Sequence, residues 1–395
     1  MVSLNTLLVH GGKINDNLTG AVNVPIYNSS TYKYPKLKQN LHWDYERSGN
    51  PTREAVEKVC TELEDGDRGF AFASGMAAIQ AALSLFKAGD HIIVGKDIYG
   101  GTFRLIDHFL KPNGISITPV DTSDLKAVSK AFKKNTRAIY FETVTNPLLQ
   151  VTSVKKIARL AHRHKALVLV DNTFLSPYLQ KPLQLGADLV IHSATKYLSG
   201  HSDLTAGIIV TKDKPLSDKV YLAQNAIGAV LAPQEANLLR RGIQTLGLRL
   251  DRHLENTKKV LRYLKVNPAV KKIYYPTIDS HSSAYTISKQ ETKAPGAVLS
   301  FELQDRYSSV SFVNALRLFT LACSLGSVES LVEVPAFMSH GEVPKAKRLQ
   351  MGIKDNLIRL SIGIEDSQDI ISDLRLAFSK VTRINIKTQR ISIKD

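Results

Sequence analysis

Cysteine is scarce in this chain, with Cys60 and Cys323 the only two among 395 residues. They lie far apart, form no CxxC pair and fit no metal-ligand spacing, so neither a disulfide framework nor a metal centre is expected. Both read as buried thiols in a reducing, cytoplasmic setting. No apolar run is long enough to cross a bilayer. Residues 1–13 lack the charged start and apolar stretch of a secretory leader. Internal repeats and low-complexity linkers are also missing.

Acidic charge is in the minority: 36 Asp and Glu against 52 Lys and Arg leave a net +16. The basic residues are dispersed, with no arm of interleaved aromatics, so a solvated basic surface is expected and nucleic-acid binding is not. Such a field also helps to gather small anions.

Apolar residues are plentiful. At 43% of the chain they suffice for a buried core, over a length at which one core divides into two domains. Residues 1–50 carry turn signals, Gly11-Gly12 and Asn28-Ser29-Ser30, and read as an N-terminal arm. A large ligand-binding domain is expected over 51–245 and a smaller C-terminal domain over 246–395.

Helical spacing marks 52–63, and Ser74-Gly75 opens a second helix over 76–86. A strand at 91–94 precedes the Gly100-Gly101 turn and a helix over 103–109. Strand 138–141, ending at Glu142, helix 154–164, strand 166–170, ending at Asp171, and strands 189–192 and 208–210 follow. A long helical pattern begins at 233–250, and 296–302 and 357–362 read as strands. Apolar strands alternating with helices indicate an α/β fold, with a mostly parallel sheet covered on both faces. The alternating tail from Arg383 reads as an edge strand or a disordered end.

Two residues carry the chemistry. Asp171 ends one apolar strand, and Lys196 follows the next within Ser193-Ala194-Thr195-Lys196. One α/β unit separates them, so both fall at the carboxyl edge of one sheet, where open α/β sheets bind ligands. Pyridoxal 5'-phosphate (PLP) needs this pair: a lysine amine to hold its aldehyde as a Schiff base, and a carboxylate to keep its ring nitrogen protonated.

The strings around them carry a resemblance. Val-Asp-Asn-Thr-Phe at 170–174 and Ser-Ala-Thr-Lys-Tyr at 193–197 are joined by Tyr-Glu-Arg-Ser-Gly-Asn-Pro-Thr-Arg at 45–53 and Ala-Ser-Gly-Met-Ala-Ala at 73–78. Tyr-Gly-Gly-Thr at 99–102, Leu-Gly-Ser-Val-Glu-Ser-Leu at 325–331 and Arg-Leu-Ser-Ile-Gly-Ile-Glu-Asp at 359–366 complete the set. Over residues 10–378 the chain resembles the Cys/Met-metabolism PLP enzymes, the cystathionine lyases and synthases.

That resemblance implies an aminotransferase-like (fold type I) architecture with a smaller α+β C-terminal domain. It makes Lys196 the cofactor lysine and catalytic base, and Tyr99 the ring that stacks on the pyridine. Gly75 and Met76 would bring helix N-terminal N–H groups to the phosphate, with hydroxyls from Ser193 and Thr195. Tyr45 and Arg47 would reach the phosphate of a neighbouring subunit, within a tetramer of active dimers. Asn146, Ser330 and Arg359 are the implied substrate contacts, Arg359 as a bidentate partner of the α-carboxylate. Glu329 and Asp44 resemble acids of the γ-acting members that hold the distal ammonium of cystathionine. The activity implied is cystathionine γ-lyase, with cystathionine β-lyase and cystathionine γ-synthase as alternatives and a non-catalytic binding protein as the remotest reading. Ser327, where glycine is usual, and Phe337, where smaller residues are common, depart from the pattern.

Overall fold

A computed structural model describes residues 2–381. The chain divides into two units: Met1–Asn146 with Gln150–Leu248 and Ser280–Gly296, and Pro147–Leu149 with Arg249–Asp279 and Ala297–Asp395. The tail from Arg383 lies outside the described residues.

The first unit is organised by seven strands: β1 (Arg68–Phe72), β2 (His91–Gly95), β3 (Ser116–Val120), β4 (Thr136–Glu142), β5 (Leu167–Asp171), β6 (Leu189–Ser193) and β7 (Gly207–Thr211). Their order across the sheet is β1-β7-β6-β5-β4-β2-β3. The five strands β2 to β6 pair in parallel, whereas β7 runs antiparallel to both of its neighbours, β6 and β1. The mostly parallel sheet expected from alternating apolar strands is therefore present, with β7 reversed.

Side chains alternate across the pleat, so register fixes what each face carries. Tyr140 pairs with Leu169 and Glu142 with Asp171. These four share one face, and Tyr140 and Leu169 pack there with Leu189, Ile191 and residues of the Gly75–Leu83 helix. The opposite face carries Phe141, Val170 and His192, beneath the Pro51–Glu64 and Val154–Arg163 helices. Asn50 caps the first of these helices by accepting from Thr52 and Arg53 N–H, with Pro51 at the first helical position.

Local outcomes depart from the sequence reading in a few places. The helix expected over 103–109 is an α-helix at Gly100–Leu105 that widens into a π turn at Ile106–Leu110. The pattern over 233–250 is split at Thr245 into helices Pro233–Gln244 and Leu246–Lys265. Cys60 is buried as expected, but Cys323 is exposed, because it lies on the irregular segment that follows an edge strand.

The second unit holds β8 (Val270–Tyr274), β9 (Val298–Leu303), β10 (Thr320–Leu321), β11 (Leu331–Glu333) and β12 (Leu357–Ser361), ordered β10-β11-β12-β9-β8. All neighbours are antiparallel except β10 and β11. Leu299, Phe301, Phe312, Ile358, Leu360 and Leu374 form its core with the Ser309–Ala315 and Ser367–Lys380 helices. Among the described residues no helix is long and apolar enough to cross a membrane.

Candidate active site

The carboxyl ends of β4, β5 and β6 gather most of the polar groups singled out in the first unit. Asp171 closes β5 and is 9% exposed. One oxygen accepts from Thr173 N–H at 3.0 Å and from the Thr173 hydroxyl at 2.6 Å; the other accepts from the Tyr140 hydroxyl at 3.3 Å. None of these partners carries a positive charge. Burial pushes the Asp171 carboxyl above the usual carboxylate range, against the pull of the two Thr173 bonds. A cation placed at this carboxylate would therefore gain a strong partner.

Thr173 also accepts the Ser193 N–H at 2.8 Å, so one hydroxyl ties the ends of β5 and β6 together. Thr173 was not singled out from the sequence, although it stands in the same short string as Asp171. Lys196 follows three residues after Ser193, in a turn closed by its own N–H to Ser193 O at 3.2 Å and by Gly200 N–H to Lys196 O at 2.8 Å. It is half-buried.

The Gly75–Leu83 helix begins against this edge. Its N-cap Ser74 accepts from Ala77 N–H, which leaves the N–H groups of Gly75 and Met76 at the open end. A Cβ on Gly75 would stand 2.8 Å from Ser193 Cβ, so only glycine lets the helix end approach β6 this closely. A Cβ on Gly101 would stand 2.5 Å from the Tyr99 ring and 2.7 Å from Met76 Sδ, so a second glycine leaves room for these two side chains. Tyr99 is 45% exposed, with ring surface open to a partner. Asn146 is buried.

A buried carboxylate held by neutral donors, a helix N-terminus cleared by glycine, an exposed aromatic ring and a lysine beyond the next strand fit the chemistry of PLP. They match its ring nitrogen, phosphate, ring face and aldehyde respectively. Thr195 fits less directly. Its hydroxyl donates to Ala206 O at 3.3 Å and accepts from Ala206 N–H at 3.0 Å, so its single proton is already committed.

Other singled-out residues stand elsewhere. Tyr45 and Arg47 are exposed on the segment before the Pro51–Glu64 helix, with the Arg47 guanidinium 5.5 Å from the Tyr45 ring centre. Asp44 is half-buried on the same segment, 3.5 Å from the Tyr34 hydroxyl. Glu329, Ser330 and Arg359 belong to the second unit. Arg359 lies on β12, with Nη1 2.8 Å from Glu333 Oε1 and Nη2 2.6 Å from Ser324 O. Ser330 donates to Glu365 through its N–H at 2.6 Å and its hydroxyl at 2.9 Å, and accepts from Gly363 N–H at 2.9 Å. Its hydroxyl therefore holds the loop before β11 in place. Glu329 is half-buried beside it.

Comparison with known proteins is consistent across the length of the chain. The model of the Cys/Met metabolism PLP-dependent enzyme family matches residues 5–379. A cystathionine beta-lyase of Lactococcus lactis subsp. cremoris (strain MG1363) is 52% identical over 96% of this chain and 100% of its own length. A cystathionine gamma-lyase of Bacillus subtilis (strain 168) is 48% identical over 95% of this chain and 99% of its own. The crystal structure of cystathionine gamma-lyase from Lactobacillus plantarum complexed with L-serine matches with a TM-score of 0.94 at 54% identity, covering 96% of this chain and 99% of that one.

Proposed function

The chain belongs to the Cys/Met-metabolism PLP-dependent enzymes, and on that premise we propose that it cleaves L-cystathionine by γ-elimination to L-cysteine, 2-oxobutanoate and ammonia. PLP is the cofactor and an amino acid of sulfur metabolism is the substrate class. When bound, PLP supplies an aldehyde carbon for an amine and a protonated ring that draws electrons from Cα.

The protein's own groups have distinct tasks. Lys196 would hold the PLP aldehyde through its amine, and as a free amine it would be the base for the substrate Cα proton. Asp171 keeps the proton on the ring nitrogen, and Thr173 keeps Asp171 in place. Gly75 and Met76 N–H groups and the Ser193 hydroxyl take the phosphate, with Thr195 bracing that turn through Ala206. The Tyr99 ring would stack on the pyridine. Arg359 receives the substrate carboxylate, Asn146 is a further substrate contact, and Ser330 fixes the loop before β11. Asp44 or Glu329 receives the distal ammonium. Tyr45 and Arg47, exposed in one chain, serve the phosphate site of a neighbouring chain in a tetramer of active dimers.

The observation that supports γ-elimination is Glu329. It is half-buried on the loop before β11, in a chain 54% identical to the Lactobacillus plantarum gamma-lyase. The 52% identity to the Lactococcus beta-lyase favours a second reading, β-elimination to homocysteine, pyruvate and ammonia. Product analysis of the PLP-loaded protein with L-cystathionine separates them. 2-Oxobutanoate with cysteine upholds the proposal, and pyruvate with homocysteine overturns it. Cystathionine formed from an O-acylhomoserine and cysteine, without lyase turnover, would instead identify a γ-synthase.

A further inference from the structure

Two carboxyls end adjacent strands on the same sheet face. Glu142 closes β4, Asp171 closes β5, and the two are register partners. The mechanism above employs Asp171 and leaves Glu142 without a task. Glu142 is 7% exposed, and burying a carboxyl is costly unless its oxygens find donors. Its donors come from two different loops. Oε1 accepts the Tyr99 N–H at 2.5 Å, from the residue that precedes the Gly100–Leu105 helix. The carboxyl also accepts the Asn146 N–H, from the turn after β4.

We propose that Glu142 is a positioning residue that clamps the main chain at Tyr99 and Asn146, setting the Tyr99 ring and the Asn146 side chain relative to Asp171. This rests on the reading of Tyr99 and Asn146 as cofactor and substrate contacts. Three arguments support it. The clamp anchors both loops to the end of β4, a rigid central strand, so each loop is located by the element that neighbours Asp171. Burial, then the neighbouring Asp171 charge, raise Glu142 well above the usual carboxylate range, which favours its protonated form. A carboxyl accepts N–H bonds in either protonation state, so the clamp does not depend on where the pair's proton lies. An apolar side chain at 142 would fill the space without desolvation cost but would release both N–H groups.

The test uses Glu142→Leu, which removes the acceptors, and Glu142→Gln, which keeps a carbonyl oxygen. Hydrogen exchange of the apoprotein should quicken by about tenfold or more at the amides of Tyr99 and Asn146 in the Leu variant. Exchange at Tyr99 should be restored by Gln. The dissociation constant of PLP should weaken by about tenfold in the Leu variant, and kcat should fall more than KM rises, with Gln recovering most of both. Unchanged exchange at both amides overturns the clamp. Faster exchange with unaltered PLP affinity and kcat reduces Glu142 to a loop brace and also overturns it. If the Leu variant does not fold, Glu142→Asp, one methylene short, is held to the same outcomes. Tyr99→Ala separates the two levels: if it leaves PLP affinity unchanged, the role of Tyr99 fails, while the exchange data still judge the clamp.

Discussion

Arg359 and Glu333 face each other across the β11–β12 pair, Nη1 to Oε1 at 2.8 Å, with side chains 4% and 0% exposed. The pair extends through the Ser339 hydroxyl, which donates to Glu333 Oε1 at 2.9 Å and lies 3.0 Å from His340 Nδ1. Removing one partner of such a pair leaves a buried charge uncompensated. Glu333→Ala should therefore destabilise the protein by about 3–5 kcal/mol, read by urea denaturation. Glu333→Gln should cost less stability but raise KM for the amino-acid substrate more than it lowers kcat, because Arg359 loses its orientation. An unchanged KM would detach Glu333 from substrate binding.

Gly75→Ala tests the helix end that approaches β6. Its new methyl would meet Ser193 Cβ at 2.8 Å, and backbone stands behind that atom, with Ser193 Cα at 3.1 Å. The helix start must shift, costing about 1–3 kcal/mol of stability. Affinity of the apoprotein for PLP should fall by about tenfold or more, since the N–H groups at the helix start lose their aim. Equal PLP titration curves for the two proteins would remove this helix from the phosphate site.

Acid should weaken the second unit through two histidines. Burial pulls His253 and His340 down to about 4, well below an ordinary histidine. His253 Nδ1 lies 2.6 Å from Ile362 O in the core of that unit. The unfolded chain takes up these protons at the ordinary histidine value and the folded chain refuses them until about pH 4. Their contribution is thus whole above the ordinary value and is lost as pH falls through that window. The urea midpoint should drop between neutral and mildly acid pH, and His340→Gln should flatten the slope. A midpoint independent of pH in both proteins contradicts this account.

Exposed Tyr45 and Arg47 give a prediction about assembly. If they complete a neighbour's site, Arg47→Ala and Lys196→Ala should each be nearly inactive alone. Random hybrid dimers place both changes in one site and neither in the other, so an unfolded and refolded equimolar mixture should regain about a quarter of wild-type turnover. A mixture as inactive as its components would mean that each chain completes its own site.

Legibility in the sequence followed hydrophobicity. Strands β5 and β6 are near-continuous apolar runs because helices cover both of their faces, and the residues that end them stand out for the same reason. Strand β3, with Pro119 and a half-exposed edge, and β8, with Lys271 and Lys272 facing out, carry no such run and escape a hydrophobic reading. The reversal of β7 is invisible because apolar patterning has no direction. Glu142 offered the same signal as Asp171, an acid closing an apolar strand, and Glu333 stands in an apolar stretch much as Arg359 does. What the pattern could not show is that Glu142 would meet the Tyr99 N–H and Glu333 the Arg359 guanidinium, since these partners come from distant parts of the chain.

The route of the polypeptide has an evolutionary and practical corollary. Ser280–Gly296 returns to the first unit after an excursion through the second, and within it Glu291 receives the Ser153 hydroxyl while the Lys293 amine lies 3.7 Å from the Tyr178 ring centre. A gene cut after Leu248 would encode a first unit stripped of this strip, so neither unit can be inherited, exchanged or expressed as a contiguous cassette.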